Sequence, residues 1–337
     1  MRILISSQYD SKNTYVTDIV DGLKSYTDVI CSISEFWESE ENYDIVHLQW
    51  PEELFHWNTI SKTDLQKIKD RFNYYKSSGT KLVATLHNEI PHRSKTDFEK
   101  ELYNFVYNEV DAIVNLGNYS TSLFPNKKNV VIHHPNYDKH IKVDQKIRTS
   151  FTTFLSFGTI RTLEEESQII SGFIKANIKD SKLIIANSLV GKNPYFNEGK
   201  LSLRKWKYIF YLRRLQNQNI QLINRRLTDE EMNFYFNQAD VVISPRIENL
   251  NSGVVFLGFS FGKPVVGPNI GNIGEFLTQT NNPTFEPKNP ISIAAALKNA
   301  LKEKNLGQEN SKFSKTNLNA DKIALEHYKL YQELKNS

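Results

Sequence analysis

The sequence has few of the residues that build a covalent or membrane-spanning framework. It contains one cysteine, Cys31, among 337 residues, which excludes a disulfide framework or a thiolate metal cluster within the chain. The apolar run after Met1 is too short for a signal peptide, and no later segment approaches the ~20 apolar residues that a spanning helix needs. We therefore expect a cytoplasmic protein that is soluble, or at most peripheral at the inner face of a membrane.

Net charge and glycine are also limited. The 42 basic and 38 acidic residues leave a formal charge of +4, which is too small to indicate nucleic acid as a partner. No Gly-x-Gly-x-x-Gly run follows a predicted strand, which argues against a dinucleotide oxidoreductase. With 39% hydrophobic residues in 337, the chain is long and apolar enough for two globular domains.

Short apolar runs alternate with helical patterns along the chain. Runs such as 130–132 have continuous apolar centres, typical of strands buried on both faces. This alternation predicts an α/β fold with two doubly wound parallel sheets. The predicted strands are 2–7, 28–33, 44–50, 81–88, 111–116 and 129–134, then 151–158, 182–187, 220–224, 240–245, 264–268 and 284–287. The predicted helices are 14–25, 61–78, 96–109, 163–177, 201–216, 228–238, 252–261, 291–304 and 321–334.

The stretch 136–150 is polar and lacks periodicity, so we interpret it as a linker. The first domain is then 1–144 and the second is 145–316, followed by a last helical segment at 317–337. A polar break is predicted at 307–319. In open parallel sheets, ligands bind beyond the carboxyl ends of the strands, so functional residues are sought directly after the apolar runs.

The segment 240–275 carries the most information. A buried strand runs into a polar loop, and Asn251, Ser252 and Gly253 then open a helix. Free backbone N–H groups and the helix dipole favour a diphosphate at such a helix start. An ordinary strand–helix–strand unit with a capped helix is an equally good interpretation of the spacing alone.

This segment resembles the donor-binding region of GT-B glycosyltransferases, especially family four and its relatives. Those enzymes show a strand ending in proline, an acidic loop, a helix, then Gly-x-Pro-Val and a glycine-rich turn ending in a glutamate, here Glu275. Many members also carry two glutamates eight positions apart, and Asn249 and Leu257 occupy those places here. The family's rule for ribose binding by the second glutamate therefore does not transfer to this chain.

A second resemblance lies at 154–165, which is similar to the family's strand–Gly–x–x–Arg stretch. There an arginine and a following lysine bind the donor phosphates. Arg161 matches the arginine, whereas Leu163 or Glu164 stands at the lysine position. A guanidinium can hold phosphate oxygens bidentately, so we expect Arg161, with Arg246, to neutralise the diphosphate. A solvated residue at a helix start is the less favoured interpretation of Arg161.

The run 43–52 places His47, Gln49, Trp50 and Glu52 at a strand exit. Trp50 offers a flat face on which a sugar ring could stack, and His47 and Glu52 could orient hydroxyls or handle protons. The run resembles Asp-Val-Val-His-x-His-Trp-Pro-Glu of the same sub-group, with Gln49 in place of the second histidine. A buried histidine within the strand is an equally good interpretation of His47.

The run 85–92 resembles Thr-x-His-Asn-x-x-Pro-His of the same enzymes, in which the first histidine faces the transferred sugar. The resemblance implies that His87 and Asn88 line the acceptor side. Glu89 or His92 could be the general base if the reaction inverts configuration. The spacing of these groups does not match a metal motif on one element, and GT-B enzymes generally work without a bound metal, so we predict none.

The resemblance implies a GT-B glycosyltransferase without a cofactor. The nucleotide-diphosphate sugar is its co-substrate, and the acceptor is a saccharide or a lipid-linked saccharide in surface polysaccharide synthesis. The first domain would hold the acceptor, the second the donor, and the last helix would return to the first domain. The alternatives are a nucleotide-sugar epimerase, a phosphorylase, for which no cofactor-lysine run is visible, and a non-enzymatic two-domain nucleotide-sugar binding protein.

The segment 201–214 is basic and aromatic. A helix of this composition can make a weak contact with an anionic membrane surface. It can also be a domain helix with a solvated basic face, and this second interpretation is favoured because such faces are common.

Overall fold

The computed structural model describes residues 1–10, 14–91, 96–144, 150–192 and 202–337. They form two compact units. The first unit comprises Met1–Asn136 and Asn317–Ser337, and the second comprises Tyr137–Thr316.

Each unit contains a parallel β-sheet, as the sequence predicts. The strands are β1 Arg2–Ser6, β2 Asp28–Cys31, β3 Ile45–Leu48, β4 Lys81–Leu86, β5 Ala112–Asn115, β6 Lys128–Val131, β7 Thr152–Ser156, β8 Ser181–Ile185, β9 Ile220–Leu222, β10 Val241–Ile243, β11 Val265–Pro268 and β12 Thr284–Phe285. The helices are α1 Thr14–Leu23, α2 Ile33–Glu38, α3 Lys62–Ser77, α4 Asp97–Glu109, α5 Leu163–Ala176, α6 Leu203–Asn217, α7 Asp229–Gln238, α8 Gly253–Ser260, α9 Gly271–Gln279, α10 Pro290–Ala300, α11 Leu306–Asn317 and α12 Ala320–Lys335. Short 3₁₀ helices occupy Pro51–Phe55 and Tyr119–Leu123.

In the first unit, the described strands form one sheet in the order β2-β1-β3-β4-β5-β6. Strands β3, β4 and β5 are buried at nearly every position because helices cover both faces. Helices α1 and α12 pack together over one face, where Ile19 and Val20 meet Ile323 and Tyr331. The chain order reverses between β1 and β3, so a ligand crevice is expected beyond their carboxyl ends.

In the second unit, the described strands form one sheet in the order β12-β11-β10-β7-β8-β9. All of its pairs are parallel, with Ser156 at the end of β7 beside Ile243 at the end of β10. The reversal of strand order here lies between β7 and β10. A ligand crevice is therefore expected beyond Ser156 and Ile243.

Three helices differ from the sequence prediction. The stretch predicted as a polar break contains α11, whose inward positions include the polar residues Asn310 and Ser314. Asn310 exchanges hydrogen bonds with the side chain of Asn282, which compensates for its burial. The segment predicted as a glycine-rich turn forms the start of α9. Residue 33, predicted as the end of the second strand, is instead the first residue of α2.

Candidate functional site

The loops after β7 and β10 meet through Gly158 and Arg246. Gly158 has a φ of +110°, a conformation that side-chain-bearing residues rarely adopt. A Cβ atom there would lie 3.0 Å from Cγ2 of Val254 and 3.2 Å from Nη2 of Arg246. Glycine at this position thus lets the guanidinium of Arg246 and the first turn of α8 both approach the loop after β7, at the point where the strand order reverses.

Arg246 is held rigidly in this position. It is 7% exposed, donates from Nη1 to the carbonyl of Thr159 at 2.5 Å, and pairs with the buried carboxylate of Glu165 at 3.5 Å. Burial lowers the pKa of Arg246; Glu165 opposes this shift, and the positive charge of Arg161 adds to it. An arginine remains charged despite such a shift, so two guanidinium charges lie near one carboxylate.

The side chain of Arg161 is exposed, as a group that contacts a soluble ligand must be. Its backbone N–H, not its guanidinium, donates to Glu165 at 2.7 Å. Glu165 is therefore already engaged with Arg246 and with the backbone of residue 161. The exposed guanidinium of Arg161 is therefore placed to hold the oxygens of an anion.

The amino terminus of α8 adds partial positive charge at the same place. Its N-cap residue, Ser252, makes no side-chain capping bond within the described chain. Instead the Ser252 hydroxyl accepts a hydrogen bond from Ser244 at 3.0 Å. Side chains of Ser61, Thr96 and Thr162 cap the starts of other helices. Uncapped N–H groups and the helix dipole make the start of α8 suitable for a phosphate.

Helix α9 begins beside α8, a feature that the sequence analysis missed. The amide of Asn272 donates to the carbonyl of Leu250 at 3.0 Å, and its side chain donates to Oδ1 of Asn251 at 2.9 Å. Helix α9 also has no side-chain cap among the described residues. The loop that holds Asn251 is thus tied between two helix starts.

The glycines of this turn serve packing. Gly271 has a φ of +51°, and a Cβ atom there would lie 2.9 Å from the carbonyl oxygen of Leu250. The corresponding space at Gly274 is filled by the backbone of Asn269. Glu275, one turn into α9, is half-buried and accepts a hydrogen bond from Gln279 at 2.9 Å.

In the first unit, the exits of β3 and β4 come together around His87. Its Nε2 lies 3.1 Å from Oε1 of Gln49, and its ring stacks on Trp50 with centroids 3.9 Å apart and planes 16° apart. Tyr15 of α1 meets the same imidazole edge-on at 4.9 Å. This arrangement fixes the His87 ring between an amide and two aromatic rings.

The amide of Gln49 has an unused donor. Gln49 is 1% exposed, and its Nε2 has no hydrogen-bond partner among the described residues. A buried N–H₂ group without a partner is uncommon in folded proteins. Because Oε1 faces His87, the amide is oriented and can supply a donor to a bound oxygen.

Glu52 and Asn88 both lie near the side chain of Tyr103 in α4. Burial raises the pKa of Tyr103; Glu52 adds to this shift, and Asn88 opposes it. Glu52 is 6% exposed and belongs to the 3₁₀ helix after β3. Five of the predicted acceptor-side residues therefore surround the exits of the neighbouring strands β3 and β4: Gln49, Trp50, Glu52, His87 and Asn88.

His47 has a different environment. Its ring nitrogens lie 2.6 Å from the hydroxyl of Tyr331 in α12 and 2.8 Å from that of Thr85 in β4. Burial lowers its pKa well below the usual value, so the ring is neutral. Both nitrogens are engaged within the first unit, which fits the buried interpretation of this residue.

Tyr15 and Glu53 are two neighbours of this region that sequence reasoning missed. Tyr15 lies between His87 and His134, with its ring 4.9 Å from each. The one sequence feature that could have identified Tyr15 is its position beside the apolar face of α1. Glu53 accepts hydrogen bonds from Ser7, at the exit of β1, at 2.9 and 2.8 Å, and burial raises its pKa.

The remaining predicted residues differ in accessibility. Glu89 is exposed after β4, and His92 lies outside the described residues. No three His, Cys, Asp or Glu side chains within the described ranges converge to hold a metal ion. In the same ranges, no helix combines the length and apolarity needed to cross a bilayer.

Comparison with known proteins extends over most of the chain. No family model matches it. It is 22% identical over 276 residues to a GDP-mannose:glycolipid 4-beta-D-mannosyltransferase of Xanthomonas campestris pv. campestris, covering 79% of this chain and 73% of that protein.

Solved structures match the fold of the whole chain. Sucrose-phosphate synthase from Thermosynechococcus elongatus has a TM-score of 0.67 at 12% identity, covering 98% of each chain. HepE from Anabaena, solved in complex with UDP, has a TM-score of 0.67 at 12% identity, covering 99% of this chain and 100% of that one. A glycosyltransferase from Rickettsia africae has a TM-score of 0.62 at 18% identity, covering 98% and 84%. At these identities the likeness establishes the fold alone, and it confirms the fold that the sequence motifs predict.

Proposed function

We propose that this chain, which has the GT-B fold, is a glycosyltransferase that moves a hexose-type sugar from a nucleoside-diphosphate sugar to a saccharide or lipid-linked saccharide. The observation that carries the proposal is the uncapped start of α8 beside the buried guanidinium of Arg246, where the strand order of the second sheet reverses. The Xanthomonas relative, which its name describes as a GDP-mannose-dependent enzyme acting on a glycolipid, supports such a donor and acceptor.

The donor diphosphate is proposed to lie at the loop 251–253. Amides of Ser252 and Gly253 donate to its oxygens, and Arg161 and Arg246 neutralise its charge. Asn251 positions the loop through its bond to α9, and Glu275 faces donor hydroxyls. The diphosphate leaves with increased negative charge, and preorganised donors of this kind stabilise that charge as it develops. The proposal includes no cofactor and no essential metal.

The acceptor is proposed to bind in the first unit. Trp50 offers a ring face to a sugar, while Glu52, Asn88 and the unused amide donor of Gln49 orient hydroxyls. His87 contacts the transferred sugar. Glu89 or His92 takes the proton from the attacking acceptor hydroxyl if the anomeric configuration inverts. His47 supports the site by joining β3, β4 and α12.

The cellular setting is also a proposal. The acceptor class suggests a role in surface polysaccharide assembly by a bacterium, on the cytoplasmic side of the membrane. A lipid-linked acceptor would bring the enzyme to the membrane surface as a peripheral protein.

The test is to incubate the protein with UDP- and GDP-sugars, with and without saccharide acceptors, in parallel reactions that lack or contain EDTA. A glycosyltransferase releases nucleoside diphosphate faster with its acceptor and forms a longer saccharide. Conversion of the donor sugar without nucleotide release would identify an epimerase instead. Nucleotide binding without turnover of any sugar in the panel would identify a binding protein. Turnover that is seen without EDTA and lost when EDTA is added would refute metal independence.

A further inference from the structure

Helix α6 exposes an apolar stripe on its outward face. Leu203 is 78% exposed, Phe210 is 68% exposed and Trp206 is 49% exposed. Their spacing of three and four residues places them on one side of the helix. Three large apolar side chains gathered in this way differ from the single exposed hydrophobic residues that are normal on protein surfaces.

The opposite face of α6 is only loosely packed. Leu215 is its one buried residue within the described chain. Beneath its carboxyl-terminal half lies a cavity of about 470 Å³, lined by Leu212, Leu215 and Gln216 together with residues of the edge strand β9. Packing on the sheet therefore does not explain why the outward face is apolar.

Basic residues surround the stripe. Between residues 203 and 217 there are five basic side chains and no acidic one. At 3.6 residues per turn, Lys207 and Arg214 fall on one side of the stripe and Arg213 on the other. All three are exposed. The face thus combines an apolar centre with a positively charged border.

We infer that this face of α6 binds an anionic lipid surface. Leu203, Trp206 and Phe210 enter the boundary between headgroups and acyl chains, and the lysines and arginines contact anionic headgroups. A second copy of this chain fits poorly, because a two-fold contact would bring the same positive charges together. The inference concerns a surface apart from the donor and acceptor residues, and it does not depend on sugar transfer.

The test measures binding of the full chain to lipid vesicles by co-sedimentation. Vesicles of phosphatidylcholine with phosphatidylglycerol are compared with vesicles of phosphatidylcholine alone. We expect binding to the anionic vesicles, weakened by salt. Phe210→Ser should weaken it at least about tenfold, as expected for a large apolar side chain that leaves water. Lys207→Ala should weaken it roughly fivefold, as expected for one basic residue at such a surface.

Matched controls come from α10 of the same unit. Ile291 is 66% exposed and Lys298 is exposed, and Ile291→Ser and Lys298→Ala should leave vesicle binding unchanged. Equal binding to both kinds of vesicle, or full binding by Phe210→Ser, would overturn the inference. So would self-association in analytical ultracentrifugation that Phe210→Ser abolishes, because a second copy would then be the occupant. Since no donor or acceptor is present, the result is independent of transferase activity.

Discussion

The placement of the donor diphosphate is most directly tested at Arg161. The guanidinium of this residue is exposed, and the hydrogen bond to Glu165 comes from its backbone N–H at 2.7 Å. Arg161→Ala removes the charged group and keeps that bond. The substitution should therefore change the free energy of unfolding by no more than about 0.5 kcal/mol, as is usual for surface positions.

The effect on binding should be much larger than the effect on stability. A hydrogen bond to a charged group contributes about 1.5–3 kcal/mol, so the loss of one guanidinium–phosphate contact should weaken nucleoside-diphosphate binding roughly ten- to a hundredfold. Arg246 is unsuitable for the same test. Its removal would leave the buried carboxylate of Glu165 without the positive charge that pairs with it at 3.5 Å, and would destabilise the fold as well.

The assay is isothermal titration calorimetry with UDP and with GDP, combined with thermal unfolding of each variant. Lys298→Ala, which removes an exposed charge elsewhere in the second unit, is the control for net charge and should bind as the wild type does. Gly253→Leu, at the start of α8, should also abolish binding by obstructing the amides. The reasoning is refuted if Arg161→Ala and Lys298→Ala bind nucleotide equally well, or if the wild type binds neither nucleotide.

Three further outcomes are expected. Trp50→Ala should raise the KM for the saccharide acceptor about tenfold by removing a stacking surface, while nucleotide affinity measured by calorimetry stays unchanged; a shift in nucleotide affinity alone would contradict this role. Gln49→Ala should lower kcat about tenfold because His87 loses the oxygen at 3.1 Å that orients its ring, whereas Gln49→Glu, which retains an acceptor, should keep more activity and move the pH profile upward; a profile identical to the wild type would argue against this positioning. Burial lowers the pKa of His327 to about 3, so the unfolded chain takes up a proton first as pH falls through about 6.5, and stability is lost from there downward. Between pH 7 and pH 4, the free energy of unfolding of His327→Phe, measured by denaturant titration, should therefore fall by about 3 kcal/mol less than that of the wild type. Equal decreases in the two proteins would exclude this linkage.

The two sheets could be predicted because the apolar sequence of each central strand indicates that the strand is buried on both faces. The strands β4 and β10 are buried at nearly every position and mostly apolar, since helices cover both faces of the sheet. Helix α9 could not be predicted in the same way. Gly271 and Gly274 weaken helix propensity, and the close packing of Leu250 and Asn269 against those glycines supports the helix instead. Leu250 belongs to the loop before α8, so its contact with Gly271 cannot be read from the local sequence of α9.

The sequence by itself determined which chemical groups follow the strands. Runs of apolar residues set the strand exits, and the chain order then places Arg246, Ser252, Gln49 and His87 near the carboxyl edges of two sheets. This information is local, because it depends on the periodicity of apolar side chains.

Only the tertiary structure decided what each of these groups contacts. His47 and His87 each lie near the end of a buried strand sequence. Nevertheless, His47 is hydrogen-bonded to Tyr331, 284 residues away, while His87 stacks on Trp50 at the strand exit. Likewise, Arg246 and the start of α8 lie together because Gly158, in a different loop, leaves room for both. The physical reason is that burial and hydrogen bonding depend on which distant elements pack against a side chain, and a local pattern does not specify that packing.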